Sequence, residues 1–281
     1  MNILTTKQLT DSQTEDLINL VALCRAHDGF HLSCPLDADR FYLLEAQKAA
    51  GKTAASEGTI GGNTLEGALA VFEADGVWEC YAFTRPDLRR THCFLRLLDR
   101  LERDAGEQEP EPELCFVADP SCEAAQKTLA AIGAQLWYEE HAMIWNADAS
   151  PAPPQFSGGV SPVSLEFTSQ GLPVPFPPRS GEPASLPERL DILARARDGQ
   201  PVGTCSLYLQ PPSACLFEVE IRTPFRGRGL GEAMVRTLQQ LAPGMGLSSL
   251  TLQVSGDNIP AIQLYKKTGF HITETLSYYL Y

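Results

Sequence analysis

The sequence predicts an α/β protein of the α+β kind, with two separate cores. Three observations carry that reading. At 281 residues the chain exceeds one small domain and suits two of about 100 to 150 residues each. Helical-period and alternating segments follow one another in mixed order in both halves. Between the halves lies a stretch that can be neither, because 10 of the 21 prolines fall within 151–187, and proline fixes φ and removes a backbone donor.

The elements follow in order. Ser12-Gln13-Thr14-Glu15 has capping-box spacing and opens a helix carrying Leu17, Ile18 and Val21. A second helical stretch is expected over 39–48. Strands follow at 67–73 and 78–84, a helix at 91–103 and a strand at 113–118. In the proline-rich region only 163–167 alternates as a strand should. Beyond it, 189–196 and 203–209 read as a strand pair, and 214–221 puts Phe217, Val219 and Ile221 on one side and Glu218, Glu220 and Arg222 on the other. A glycine-rich turn leads from that strand into a helix marked by Leu230, Ala233, Met234, Leu238 and Leu241. A strand at 250–254 and a helix from about 259 complete the series.

Composition excludes several classes of function. Hydrophobic residues are 43% of the chain, and no run reaches the ~20 apolar residues of a membrane helix. The start of the chain lacks the pattern of an export signal, so no membrane and a cytoplasmic location are expected. The net charge of -13 sits in the first half: residues 1–150 hold 12 Lys+Arg and 25 Asp+Glu, whereas 151–281 hold 10 of each. Neither half offers the basic face that nucleic acid requires. The eight cysteines show no close pairing and are read as buried free thiols, and no His/Cys spacing fits zinc, so no metal is expected.

Chemistry points to one place. Glycines at 227, 229 and 231 let backbone N–H groups converge on a concavity free of Cβ atoms. At the positive end of a helix, such a turn suits a diphosphate. A dinucleotide fingerprint would need glycine at 232 or 234, where Glu232 and Met234 stand, and a Walker loop would need Gly-Lys-Ser/Thr.

What remains, Ile221-Arg222-Thr223-Pro224-Phe225-Arg226-Gly227-Arg228-Gly229-Leu230-Gly231, resembles the acetyl-CoA motif of the GCN5-related N-acetyltransferase (GNAT) family. A second segment, Asn258-Ile259-Pro260-Ala261-Ile262-Gln263-Leu264-Tyr265-Lys266-Lys267-Thr268-Gly269-Phe270, resembles the family's N-x-x-A-x-x-L-Y-x-x-x-G-F motif. The resemblance implies a mixed, mostly antiparallel central sheet flanked by helices. It implies that Arg226, Gly227, Arg228, Gly229, Leu230 and Gly231 hold the pyrophosphate of acetyl-CoA, the co-substrate. Glu220 and Ile221 would line the pantetheine arm, the N–H near Ile221 would face the developing oxyanion, and Asn258 would approach the arm. From the residues themselves, Asn258 can cap its helix and Gly269 can end it. Tyr265, facing the cofactor's thioester, is both a cofactor-binding residue and the candidate general acid, with a core aromatic as its alternative reading, and Glu218 and Glu220 are candidate bases with exposed strand carboxylates or partners for Arg222 as theirs.

The first half reads as a worn copy. Aligning Arg89 with Arg226 replaces two of the glycines by His92 and Phe94, and aligning Gly133 with Gly269 puts Cys122 at the Asn position and Leu129 at the Tyr position. This half is expected not to bind acetyl-CoA. The division expected is 1–148, a degenerate GNAT-like domain; 149–187, a proline-rich linker with a first strand; and 188–281, the catalytic domain. In the family two helices wall the acceptor pocket. Here the corresponding interval is proline-rich, so residues of the first half or of 170–187 are expected to complete it, and deletion of 1–150 to abolish transfer but spare folding. The expected activity is transfer of acetyl to an amine, small-molecule or peptide, by direct attack in a ternary complex, in a monomer or homodimer. A non-catalytic acyl-CoA-binding module, or transfer of another acyl group, is the competing reading.

Overall fold

The structure, a computed structural model, describes residues 3–46, 65–74, 76–148, 161–176 and 186–281. Contacts divide the chain into two units: Met1–Glu139 with Leu276–Tyr281, and Glu140–Thr275.

Unit 1 runs β1 (Ile3–Thr6), α1 (Asp11–Asp28), β2 (Arg40–Glu45), β3 (Leu65–Ala74), β4 (Val77–Thr84), α2 (Cys93–Gly106), β5 (Glu113–Ala118), α3 (Glu123–Ile132) and the start of β6 (Gln135–Asn146). Strands β1 to β4 are antiparallel neighbours in order. β4 and β5 are parallel, but only over Val77–Cys80 against Glu113–Phe116. Both sheet faces are covered. One core joins Leu17, Leu20, Val21 and Cys24 of α1 to Phe41, Leu43, Ala68 and Phe83. The other joins Leu97, Leu98 and Leu101 of α2 and Leu129 of α3 to Tyr42, Leu44, Leu69 and Phe116. Each of these buried leucines contributes about 1.5–3 kcal/mol.

Unit 2 takes over within β6 and continues with β7 (Val163–Ser169), β8 (Leu172–Pro173), β9 (Arg189–Ala196), β10 (Pro201–Gln210), β11 (Ser213–Ile221), α4 (Leu230–Leu241), β12 (Ser249–Ser255), α5 (Ile259–Lys267) and most of β13 (His271–Leu280). β7, β9, β10 and β11 pair antiparallel in sequence. β11 then runs parallel to β12, and β12 pairs with Glu140–Asn146 of β6. Here one core joins both helices to the sheet, through Ala233, Met234, Leu238, Ile262 and Tyr265 against Leu190, Ile192, Leu207, Leu216 and Leu252. Among the described residues of unit 2, no helix covers the opposite face. That face carries the alternate residues Arg189, Asp191 and Leu193 of β9, and it is the side that α1 covers in unit 1.

Four expectations change. Within 39–48, Arg40–Glu45 form strand β2, residues 47 and 48 lying outside the described residues. Phe41, Tyr42, Leu43 and Leu44 are all buried, and a strand covered on both faces has no alternation to separate it from a helix. The capping box of α1 is Thr10 with Gln13, since Thr10 Oγ1 accepts the Gln13 N–H (3.3 Å) and Gln13 Oε1 the Thr10 N–H (2.9 Å). Of the free cysteines, Cys34 is half-buried and Cys215 exposed, the other six being buried. The chain changes units inside two strands, not at 148: the end of β13 pairs with β5 of unit 1, where Tyr278 stacks on Tyr138 with ring centroids 4.2 Å apart. Deleting 1–150 therefore strips β12 of its neighbour and cannot be expected to spare folding. Of the proline-rich region, 149–160 and 177–185 lie outside the described residues.

Candidate active site

A turn and a divergence of strands build the site in unit 2. β11 keeps register with β12 only over Ser213–Cys215 against Ser249–Thr251, so residues 216–221 diverge from it. The cause is local. Between Thr204 and Ser206 the register of β10 against β11 slips, and Glu218 adopts φ +53°, a left-handed conformation uncommon outside glycine. A bulge of this kind bends the strand and re-aims its side chains.

After Ile221 the chain makes a tight turn through Thr223–Phe225 and passes an extended Arg226. Gly227 (φ +73°) and Gly229 (φ +75°) then take left-handed conformations, and Gly229 caps α4. The amides of 227–232 donate to no protein acceptor among the described residues; helical bonding begins with the Ala233 N–H on the Gly229 carbonyl (3.0 Å). Six consecutive free donors at the positive end of a helix form an anion cradle. Its frame is pinned, for Arg226 Nε donates to the Ile221 carbonyl (2.7 Å). The acid beside it is neutralised: Lys267 (2.6 Å) and Arg236 (3.0 Å) both pair with Glu232 and hold its carboxyl below the usual range.

Beneath the cradle lies Gly203 of β10. A Cβ there would stand 2.5 Å from the Glu220 carbonyl oxygen and 2.7 Å from Ile221 Cδ1, so only glycine admits this approach.

On the other side, Asn258 caps α5 by accepting the Ala261 N–H (3.2 Å). α4 holds the far end of α5 through Arg236, which donates to the Lys267 carbonyl (2.9 Å), and Gln239, which donates to the Thr268 carbonyl (2.8 Å). Tyr265 is thereby fixed, its ring 5.6 Å from Phe270. Burial, and then the nearby Cys205 thiol, push its hydroxyl up to about 12. It stays protonated at neutral pH, as a proton donor must.

Cys205 also lines a second hollow of about 230 Å³, with Thr168, Asp191, Ser206 and Glu218. There the buried Ser206 hydroxyl lies 3.0 Å from Asp191 Oδ1 and 3.1 Å from Glu218 Oε2, and Arg189 donates to both carboxylates at 2.9 Å. Two carboxylates share one guanidinium, which leaves one negative charge to attract a cation.

The structure thus gathers 226–231 at the cradle and sets Tyr265 and Glu218 around Cys205. Glu220 is exposed, with a loose 3.8 Å contact to Arg226. Reasoning from sequence missed Gly203, Ser206, Asp191 and Arg189. Only Gly203 had a signal, a glycine inside a strand.

Unit 1 repeats the geometry. Arg85 matches Arg222 and extended Arg89 matches Arg226, while Arg90 (φ +65°) and His92 (φ +67°) stand in the left-handed places of Gly227 and Gly229. Residues 166–270 match the family profile described as Acetyltransferase (GNAT) family. The C-terminal unit belongs to that family. A ribosomal-protein-alanine N-acetyltransferase of Bacillus subtilis is 33% identical over 77 residues, which are 27% of this chain and 51% of that relative, so the chain spans about half of its length. A GCN5-related N-acetyltransferase from Sphaerobacter thermophilus shares the fold over 99% of this chain and 95% of its own, with TM-score 0.71 and 16% identity. A tandem GNAT protein from the clavulanic acid biosynthesis pathway does so over 100% and 98%, with TM-score 0.59 and 14% identity. Both units therefore have the GNAT fold, in tandem. Among the described residues, no group of three or more His, Cys, Asp or Glu side chains could hold a metal, and no helix is long and apolar enough to cross a membrane.

Proposed function

We propose that unit 2 transfers acetyl from acetyl-CoA to the amine of a small molecule or peptide by direct attack, without a covalent enzyme intermediate. The observation that carries this reading is the run of six free amides at 227–232, at the mouth of diverging strands. Diphosphate oxygens accept from these amides, and Arg226 and Arg228 add positive charge. The thioester arm then lies along Glu220 and Ile221, with Asn258 opposite, and points toward Tyr265.

The acceptor enters as an ammonium ion, drawn by the Asp191–Ser206–Glu218 cluster. Glu218, released as Arg189 settles on Asp191, removes a proton directly or through water. The amine nitrogen bonds to the thioester carbonyl carbon while the N–H of Ile221 faces the oxygen, the C–S bond breaks, the departing sulfur takes a proton from Tyr265, and the second proton shed by the nitrogen returns through water to the Tyr265 oxygen. Both carboxylates are exposed, and Glu218 is favoured over Glu220 because it lines the hollow beside Cys205 and accepts from Ser206 and Arg189, whereas Glu220 has only a loose contact with Arg226.

Release of CoA thiol, followed with a diamine, an amino sugar and a short peptide with a free N-terminus, tests the proposal. Turnover above the solvent rate with at least one is expected, and none with any would overturn it.

A further inference from the structure

We infer that unit 1 holds a binding site of its own, for a small molecule with an anionic head and an apolar arm. The site is a cavity of about 930 Å³ between the ends of β4 and β5, within the range of small-molecule pockets and four times the hollow at Glu218. It occupies the place in unit 1 that the acyl-donor cleft occupies in unit 2, but its chemistry differs. The inference stands whether or not unit 2 transfers an acyl group.

The walls are apolar, with Phe30, Leu32, Phe83, Phe116, Leu129 and Ile132 among them. Phe94, where unit 2 has Gly231, packs edge-on to Phe116 at 5.9 Å and extends this surface. Leu129 stands in the place of Tyr265 and Cys122 in that of Asn258, so the inner end offers a surface to pack against and no proton donor comparable to Tyr265. This site binds and does not transfer.

Most polar groups of the mouth are spent on one another: two carboxylates pair with cations, and Asp119 keeps its charge but has both oxygens occupied by neutral donors. Asp28 is taken by the Arg89 guanidinium through two hydrogen bonds. Asp119 accepts from the His31 N–H (2.9 Å) and from the N–H (2.8 Å) and hydroxyl (2.6 Å) of Ser121. Glu123 pairs with Lys127 at 2.6 Å. Each of these carboxylates is satisfied, whereas exposed Arg90 has no acidic partner among the described residues. Beside it the amides of His92, Cys93, Phe94 and Leu95 donate to no protein acceptor there. A carboxylate or monophosphate answers that mouth, and an alkyl or acyl arm answers the walls. In an acidic half of the chain, local charge alone would not bring an anion here; the apolar arm supplies the rest.

Calorimetric titration of the full chain with decanoate, decyl phosphate and CoA tests this. Either amphiphile should bind at one site per chain, and the double substitution Arg90→Glu, His92→Glu should weaken it at least tenfold while leaving CoA binding unchanged. Leu129→Trp, which fills the inner end, should weaken it likewise, with circular dichroism confirming that the variant is folded. Of the two amphiphiles, the tighter one identifies the head group as carboxylate or phosphate. Failure of both to bind, binding indifferent to the surface pair at the mouth, or displacement of the amphiphile by CoA at equal affinity would overturn the assignment. Loss of CoA binding alone would count against the proposed transferase and leave this site standing.

Discussion

Adding one methyl group at Gly203 should damage the acyl-donor site from underneath. A Cβ at that position would lie 2.5 Å from the Glu220 carbonyl oxygen and 2.7 Å from Ile221 Cδ1. The first contact is with backbone and cannot rotate away, so β10 and β11 must part by roughly 1 Å to restore van der Waals distance, an overpacking cost of about 1–3 kcal/mol. Alanine recovers about 0.4–1 kcal/mol by restricting the unfolded chain, which from the middle of both ranges leaves a net loss of about 1.3 kcal/mol. The displaced segment carries Ile221, from which the cradle springs, so affinity for CoA should fall by about 10- to 100-fold. Gly67 of β3 is an internal comparator: its Cβ would meet Leu97 Cδ1 at 3.1 Å and the Phe83 carbonyl oxygen at 3.2 Å, a milder conflict partly with a mobile side chain. Urea unfolding and CoA titration of Gly203→Ala and Gly67→Ala give the comparison. If Gly203→Ala matches wild type within 0.5 kcal/mol and binds CoA within twofold, or if Gly67→Ala is the more harmful, the reasoning fails.

Other substitutions probe the remaining parts. Tyr265→Phe should lower kcat by about 10²- to 10⁴-fold with little change in the KM for acetyl-CoA, because it removes the proton donor but keeps the ring that packs beside the thioester. With its hydroxyl pushed up to about 12, Tyr265 remains an acid throughout the ordinary range; kcat should therefore show no descending limb between pH 8 and 10 that is absent from Tyr265→Phe. Glu218→Gln should cost at least 10²-fold in kcat/KM, and Glu220→Gln much less, measured with whichever amine turns over. In unit 1 the Arg89 guanidinium, with help from His27, holds the Asp28 carboxyl below its usual range. The stabilisation is complete above the ordinary carboxylate value near 4 and is lost as pH falls through the lowered one. Denaturation of Arg89→Met should thus differ from wild type most above pH 5 and least below pH 3.

Residues whose chemistry is written in their own identity were legible in the sequence. Gly227 and Gly229 announce a left-handed turn, Asn258 a cap and Gly269 (φ +90°) a helix stop, and all take those conformations. β5 and β9 emerged at their expected bounds because their ends are marked by charge or proline. β2 did not, since burial on both faces erases the period that distinguishes strand from helix. The change of units inside β6 and β13 depends on which strand pairs with which, a long-range choice that no local pattern records. The Asp191–Ser206–Glu218 cluster had the same fate, because three strands and a bulge bring it together. Arg90 and His92 carry the clearest lesson: lacking glycine, they read as a lost turn, yet both keep the left-handed glycine conformation and a ligand-sized cavity lies alongside.

The most direct test is calorimetry with CoA on the wild-type chain and on Gly227→Val, Gly229→Val, which places branched side chains where left-handed backbone and open amides are required. One CoA bound per chain by wild type, with at least 30-fold loss in the double variant and unchanged secondary structure, is the result expected. No association with wild type, or equal association with both proteins, would show that the amides of 227–232 do not hold the acyl donor.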